Sequence, residues 1–405
     1  MSFDPLESMA SMRHEFGEHG GVNLSVEAST TFTVLEAEKM PDIFQGRAGP
    51  DAGGCYLYGR HFNPTVYALG RQIAAMEGAE AGYCTASGMG AIAATLTQLC
   101  NHGEHIVASR TIYGGSFALL HDYLPLKFGI KTSFVDVTDL AEVEAAFESG
   151  TRVLYVETIG NPTLAVADIP ALAQIAHRHG AKLVVDNTFA PMMVAPIKLG
   201  ADIVVHSLTK YINGASDIVA GAVCGPTEFI QQLMDLHTGS LMLLGPTMDP
   251  HQAHAISLRV PHLHLRMMEH SRRGLAFAER LQARGVSVIY PGLSDHPGHA
   301  LLQRIGNPAF GAGGLLGLDL GDRDKAFRCM EILQNEHHFG FMAVSLGYFE
   351  TLMSCSAATT SSEMPEEEQR KAGIAPGMVR LSLGLTGSLE QRWQQLAQTL
   401  DRLGV

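Results

Sequence analysis

The middle of the chain alternates two hydrophobic patterns. Val153-Leu154-Tyr155-Val156-Glu157, Leu183-Val184-Val185-Asp186 and Ile203-Val204-Val205-His206 are apolar runs that end on polar residues. Runs this short and unbroken predict strands buried on both faces. Between the first two, Asp168 is placed to cap a helix that turns Leu172, Ile175 and Ala176 inward, with Gly180 as its stop. Strands separated by helices predict an α/β fold with a mainly parallel sheet covered on both faces. Ligands of such sheets bind at the carboxyl ends of the strands. Glu157, Asp186 and the group Ser207, Thr209 and Lys210 all fall at such ends.

Upstream, Asn63-Pro64-Thr65 predicts the start of a helix with Val66, Leu69, Ile73 and Met76 on one face. A short element over 81–86 then leads through Ser87-Gly88-Met89-Gly90 into a helix with Ile92, Leu96 and Leu99 inward. Residues 1–60 are rich in Gly, Ser, Glu and His and carry one apolar patch, Thr31-Phe32-Thr33-Val34-Leu35, which reads as an extended arm. Residues 226–285 read as helical and linking, and contain His251, His254, His262, His264 and His270. A metal site would want a carboxylate or a tight ligand set on one face, and in a chain with 19 histidines such clusters arise by chance, so no metal is expected. Strands are expected again over 286–290, 315–320 and 379–383, with a solvated acidic loop over 361–368. The resulting division is an arm (1–60), a large domain (61–265) and a smaller α+β domain (266–405).

Composition narrows the partners. The 405 residues contain 28 Lys+Arg against 41 Asp+Glu, a net charge of −13, with no basic run able to track a phosphate backbone. A small metabolite is the expected partner and nucleic acid is not. Charged residues make up 17% and hydrophobic ones 46%, which suits extensive burial including subunit interfaces. The start, Met1-Ser2-Phe3-Asp4-Pro5-Leu6-Glu7, lacks the basic-then-apolar pattern of a secretory leader, so a cytoplasmic protein is expected. The uncharged stretch 81–101 has the length of a membrane span but holds too much Gly, Ser, Thr and Gln for one. Cys55, Cys84, Cys100, Cys224, Cys329 and Cys355 form no C-x-x-C pair and read as buried, reduced thiols.

The glycine turn at 87–90 is the first chemical signal. A glycine turn feeding a helix N-terminus offers unpaired N–H groups and a favourable dipole to an anion such as a phosphate. Helix packing alone would also explain these glycines. Gly88-Met89-Gly90-Ala91-Ile92-Ala93 fits a dinucleotide fingerprint too, but the following strand ends in Ser109-Arg110 where that motif wants an acid. An amine-bearing lysine, an acid on a neighbouring strand and a phosphate nest together suit pyridoxal 5'-phosphate. Its aldehyde forms a Schiff base with a lysine, its ring nitrogen wants an acid partner, and its phosphate wants oriented donors. Lys210 would take the aldehyde and Asp186 the ring nitrogen. Ser87, the amides of Gly88 and Met89, Ser207 and Thr209 would take the phosphate, and Tyr113 would stack on the ring.

In order along the chain, Tyr58-Gly59-Arg60, Ser87-Gly88-Met89, Tyr113-Gly114, Glu157 with Asn161-Pro162-Thr163, Asp186-Asn187-Thr188, His206-Ser207-Leu208-Thr209-Lys210-Tyr211, Ser345-Leu346-Gly347 and Arg380-Leu381-Ser382 resemble the Cys/Met-metabolism, or transsulfuration, family of fold-type I pyridoxal phosphate enzymes. The resemblance covers nearly the whole chain. It implies the fold-type I transferase fold, with a seven-stranded, mainly parallel sheet in the large domain. It adds Glu157 to the cofactor site and implies that Tyr58 and Arg60 reach the phosphate of a neighbouring subunit, so that the active unit is a dimer, usually doubled to a homotetramer. Tyr58, Asn161, Ser345 and Arg380 are implied to bind substrate, Arg380 by a two-pronged contact with its carboxylate. Lys210 is the implied base and Tyr113 the implied acid for leaving sulfur.

Three departures bear on the substrate. Gly115 stands where the best-known bacterial methionine-cleaving members have a cysteine, and Gly214-Ala215 where Gly-His is common. The segments 337–344 and 345–356 lack the usual His-Pro and resemble the version in plant-type methionine-cleaving members. The expected reaction is therefore γ-elimination on a sulfur amino acid, foremost L-methionine to methanethiol, 2-oxobutanoate and ammonia. The rivals are γ-replacement on an O-acyl homoserine, γ-cleavage of cystathionine, and a binding protein that kept the fold without activity.

Overall fold

A computed structural model describes residues 3–12, 16–17, 19–45, 47–48, 56–359, 367, 369 and 373–405. Cys55 and nearly all of the acidic loop over 361–368 lie outside the described residues. Strands β1 (Ala81–Thr85), β2 (His105–Ser109), β3 (Lys131–Val135), β4 (Thr151–Glu157), β5 (Lys182–Asp186), β6 (Ile203–Ser207) and β7 (Gly221–Gly225) form one sheet in the order β1-β7-β6-β5-β4-β2-β3. Strand β7 runs antiparallel to both of its neighbours; every other pair is parallel. This is the mainly parallel α/β fold expected.

The apolar runs are continuous because both faces are covered. Leu154, Val156, Val185 and Val204 point into one core cluster, and Val153, Tyr155, Val184 and Val205 into the other. The helix Pro64–Glu77 begins at Asn63, whose side chain accepts the Thr65 and Val66 amides, and stops at Gly78 with φ +66°. Its Val66, Leu69, Ile73 and Met76 are all buried. The helix Ile169–Arg178 is capped by Asp168 and buries Leu172, Ile175 and Ala176, as their spacing predicts. In the helix Gly88–Leu99, Ile92 and Leu96 are buried and Leu99 is half-buried.

A single helix, Leu263–Ala283, carries the chain towards a second sheet. Strands β8 (Ser287–Ile289), β9 (Leu315–Asp319), β10 (Phe341–Met342), β11 (Leu352–Cys355) and β12 (Met378–Ser382) lie in the order β10-β11-β12-β9-β8. All of its pairs are antiparallel except β10 with β11. Its core is continuous with one face of the larger sheet, since Leu315, Leu381 and Met353 belong to the same cluster as Val156 and Val204. Strands β7 and β11 carry no clear pattern signal. Strand β7 is built of small residues because it passes close to the glycine turn: a side chain on Gly221 would collide with the Ser87 carbonyl.

At the N-terminus, the helix Pro5–Ser11 packs on Pro64–Glu77, with the Ser8 hydroxyl donating to the Ala75 carbonyl at 2.7 Å. Farther along the arm, Val22 and Leu35 lie 92% and 100% exposed in the single chain. Among the described residues no helix is long and apolar enough to cross a membrane.

Candidate active site

Parallel pairing sets Glu157 directly opposite Asp186 at the carboxyl ends of β4 and β5. From there a line of hydrogen bonds joins residues far apart in the chain. Glu157 Oε1 accepts the Tyr113 amide at 2.7 Å and Oε2 the Asn161 amide at 2.9 Å. Asn161 Oδ1 accepts from Arg380 Nη1 at 3.1 Å. Arg380 Nη2 donates to the Ser345 carbonyl at 2.7 Å, and Lys210 Nζ donates to the Ser345 hydroxyl at 2.8 Å. The structure thus brings Tyr113, Glu157, Asn161, Asp186, Lys210, Ser345 and Arg380 into one network.

Lys210 follows β6 in a tight turn, in which its amide donates to the Ser207 carbonyl and its carbonyl accepts the Gly214 amide. Arg266, from the helix Leu263–Ala283, clamps that turn by donating to the Tyr211 and Ile212 carbonyls. Gly214, at φ +71°, leaves room for this guanidinium; a side chain there would strike it. Burial, and then the positive charge of Arg380, push the Lys210 ammonium down to about 8. An amine of that kind is free to react at mildly alkaline pH. Capture of pyridoxal phosphate by the cofactor-free protein should therefore speed up about tenfold per pH unit below 8 and level off above it. A stopped-flow absorbance series would show this, whereas a rise that continued through pH 10 would mark an ordinary lysine.

Arg380 is 3% exposed, and its Nε has no hydrogen-bond partner among the described residues. Burial pulls its guanidinium down to about 10. A buried cation with an unused donor is set to receive an anion. Ser345 holds φ +144°, a conformation that costs a residue with a side chain about 1–3 kcal/mol. That strained backbone presents its carbonyl to Arg380 and its hydroxyl to Lys210 together.

The glycine turn makes a second cluster. Ser87 caps the helix Gly88–Leu99, its hydroxyl accepting the Gly90 amide at 3.0 Å. The Gly88 and Met89 amides stand at the open end of that helix. Gly88 packs against Ser207, and a side chain there would come within 2.8 Å of Ser207 Cβ. The Thr209 hydroxyl donates to the Ala220 carbonyl at 3.2 Å and accepts the Ala220 amide at 3.0 Å. Thr188 ties the two clusters together, its amide donating to Asp186 Oδ1 at 2.9 Å and its hydroxyl accepting the Ser207 amide at 2.7 Å. Tyr155 and Arg266 do not stand out in the sequence, and Thr188 does so only as part of the Asp186-Asn187-Thr188 motif. For Thr188, its place two residues after Asp186 is the available signal.

Among the described residues no hydrogen bond joins Tyr58 or Arg60 to this network. Arg60 donates to the Met242 carbonyl at 2.6 Å with its guanidinium 5.8 Å from the Tyr58 ring centre, and Tyr58 is 45% exposed. Tyr113 is equally exposed, and its ring occupies the space that a side chain on Gly115 would need.

These groups fit pyridoxal 5'-phosphate. The open helix end with Ser87 and Ser207 suits a phosphate. Burial raises both Glu157 and Asp186, and the charge of Asp186 raises Glu157 further, so the pair would welcome a cation such as a protonated ring nitrogen. Lys210 supplies an amine of lowered basicity. No group of three or more His, Cys, Asp or Glu among the described residues could hold a metal ion.

Fold and site together define a pyridoxal phosphate-dependent enzyme of fold type I. A structure from Campylobacter jejuni that carries N'-pyridoxyl-lysine-5'-monophosphate matches with a TM-score of 0.90 at 27% identity, covering 98% of this chain and 100% of that one. The chain belongs to the Cys/Met metabolism PLP-dependent enzyme family, whose model matches residues 8–399. It is 55% identical over 401 residues to the methionine gamma-lyase of Arabidopsis thaliana, covering 99% of this chain and 91% of that protein. It is 39% identical over 389 residues to the L-methionine gamma-lyase of Fusobacterium nucleatum subsp. polymorphum, covering 95% of each.

Proposed function

We propose that the chain is a carbon–sulfur lyase that converts L-methionine and water to methanethiol, 2-oxobutanoate and ammonia. The observation that carries this reading is the 55% identity to the Arabidopsis enzyme over 99% of the chain. When bound, pyridoxal phosphate supplies an electron sink that stabilises negative charge next to the amino carbon. The chain does the rest. Arg380, steadied by Asn161, grips the substrate carboxylate and fixes which carbon faces Lys210. The Lys210 amine, its basicity lowered by burial, takes the α-proton, and the Ser345 hydroxyl holds that amine in place. Tyr113 gives a proton to the departing sulfur. Asp186 and Glu157 would hold the ring end of the cofactor, and Ser87, Gly88, Met89, Ser207 and Thr209 its phosphate.

γ-Replacement and cystathionine cleavage would use the same groups. The test is to supply methionine, cystathionine, homocysteine and O-acetylhomoserine, with and without a free thiol, and compare kcat/KM. Methionine should be cleaved to a keto acid, and added thiol should not divert it. A preference of about tenfold or more for O-acetylhomoserine plus thiol, yielding a thioether and no keto acid, would overturn the reading.

The proposal includes the arm (1–60), the large domain (61–265) and the smaller domain (266–405), with the arm serving a neighbour. Exposed Val22, Leu35 and Tyr58, and an Arg60 that bonds only outside the Lys210 network, support an obligate dimer paired into a homotetramer. Mixing inactive Lys210→Ala and Arg60→Ala subunits should restore roughly a quarter of wild-type activity, because half the dimers are hybrids and each hybrid has one intact site. No recovery after verified subunit exchange would mean that Arg60 serves its own chain. The five described cysteines are free and buried, which suits a cytoplasmic enzyme.

A further inference from the structure

Asp186 has both carboxylate oxygens engaged by the protein. Thr188 occupies Oδ1, and the Tyr155 hydroxyl donates to Oδ2 at 3.3 Å. Tyr155 lies in the middle of β4 with no exposed surface, and in sequence it reads as one more core residue. A phenol hydroxyl has a cost in such a place unless it finds a partner, and it has one hydrogen to give. The Ser116 hydroxyl, also without exposed surface, lies 3.5 Å from the same oxygen and can return a hydrogen to it. Ser116 belongs to the short helix Gly114–Ala118, which Tyr113 opens. Strand alternation makes this line possible. Tyr155 and Glu157 face the same side of β4, Glu157 pairs with Asp186, and Tyr155 reaches Asp186 diagonally.

We propose that Tyr155, backed by Ser116, is a positioning residue that orients Asp186 towards the cofactor's ring nitrogen. Phenylalanine would fill the same apolar space; only the hydroxyl distinguishes the two. That hydroxyl fixes the plane of the carboxylate and favours its charged form. Burial pushes Asp186 up, and the Thr188 and Tyr155 bonds act against it. The line also ties Asp186 to the short helix that Tyr113 opens.

The inference rests on the reading of Asp186 as the ring-nitrogen partner, and the test separates the two. Cofactor-free wild type, Tyr155→Phe and Asp186→Asn are titrated with pyridoxal phosphate and with its 1-deaza analogue, which has carbon in place of the ring nitrogen. Binding is read by fluorescence and the fold of each variant by thermal unfolding. Tyr155→Phe should bind pyridoxal phosphate about tenfold more weakly, the usual consequence of losing a hydrogen bond to a charged group. With the deaza analogue it should match wild type within about twofold, and its unfolding temperature should stay within about 4 °C. Equal losses with both ligands, or no loss with either, overturn the role of Tyr155 provided that Asp186→Asn discriminates between the ligands. If Asp186→Asn does not discriminate, the reading of Asp186 falls and the inference falls with it.

Discussion

Lys210→Ala lowers methanethiol release from methionine by about 10³-fold or more. The network contains one amine, and its position makes it hard to replace. Lys210 follows β6, in a turn clamped by Arg266, and points at Ser345 beside Arg380, the proposed holder of the substrate carboxylate. A positioned base contributes about 10²–10⁴-fold on its own, and loss of the cofactor's attachment adds to that. The variant should fold normally, since it removes a half-buried amine rather than apolar core volume. Methanethiol release near the wild-type rate would remove Lys210 from the reaction.

Arg380→Lys raises KM for methionine by about 10²-fold and changes kcat less. Lysine keeps the charge but loses the planar fork that serves Asn161, Ser345 and the incoming carboxylate at once. Arg380→Ala is expected to be worse. It would leave the Asn161 side chain and the Ser345 carbonyl without their donor, at about 1–3 kcal/mol for each group left buried and unpaired. It should therefore bind substrate poorly and unfold earlier. Steady-state kinetics beside thermal unfolding separates the two variants. An unchanged KM in Arg380→Lys would mean that the carboxylate is held elsewhere.

Much of this is legible in the sequence because strand ends are. The runs that finish at Glu157, Asp186 and His206 have the length and apolar continuity of buried parallel strands, and the residues that follow them converge because the strands are parallel. Their places at two such ends are enough to pair Lys210 with Asp186. Other features depend on neighbours that sequence does not specify. Tyr155 looks like core until β5 is known to lie beside β4 and to set Asp186 within reach. The backbone strain at Ser345 leaves no trace in residue type, since serine usually avoids φ +144°. Strand β7 is too rich in small residues to show a pattern, and its antiparallel course follows from its pairing with β1 and β6. The bridge from the Thr209 hydroxyl to Ala220 is decided by the turn between β6 and β7, which residue type does not announce.

The glycines at 115 and 214 also acquire physical content, Gly115 as a departure from the family pattern and Gly214 as the neighbour of the departure at Ala215. The first makes space for the Tyr113 ring, and the second admits Arg266 against the Lys210 turn. Each glycine accommodates a neighbouring side chain that any Cβ would strike.

The most direct measurement is a product balance with purified, cofactor-loaded protein and L-methionine alone. γ-Elimination requires methanethiol, 2-oxobutanoate and ammonia in equal amounts, each matching the methionine consumed. Methionine left intact, while an O-acyl homoserine and a thiol are joined under the same conditions, would contradict the account.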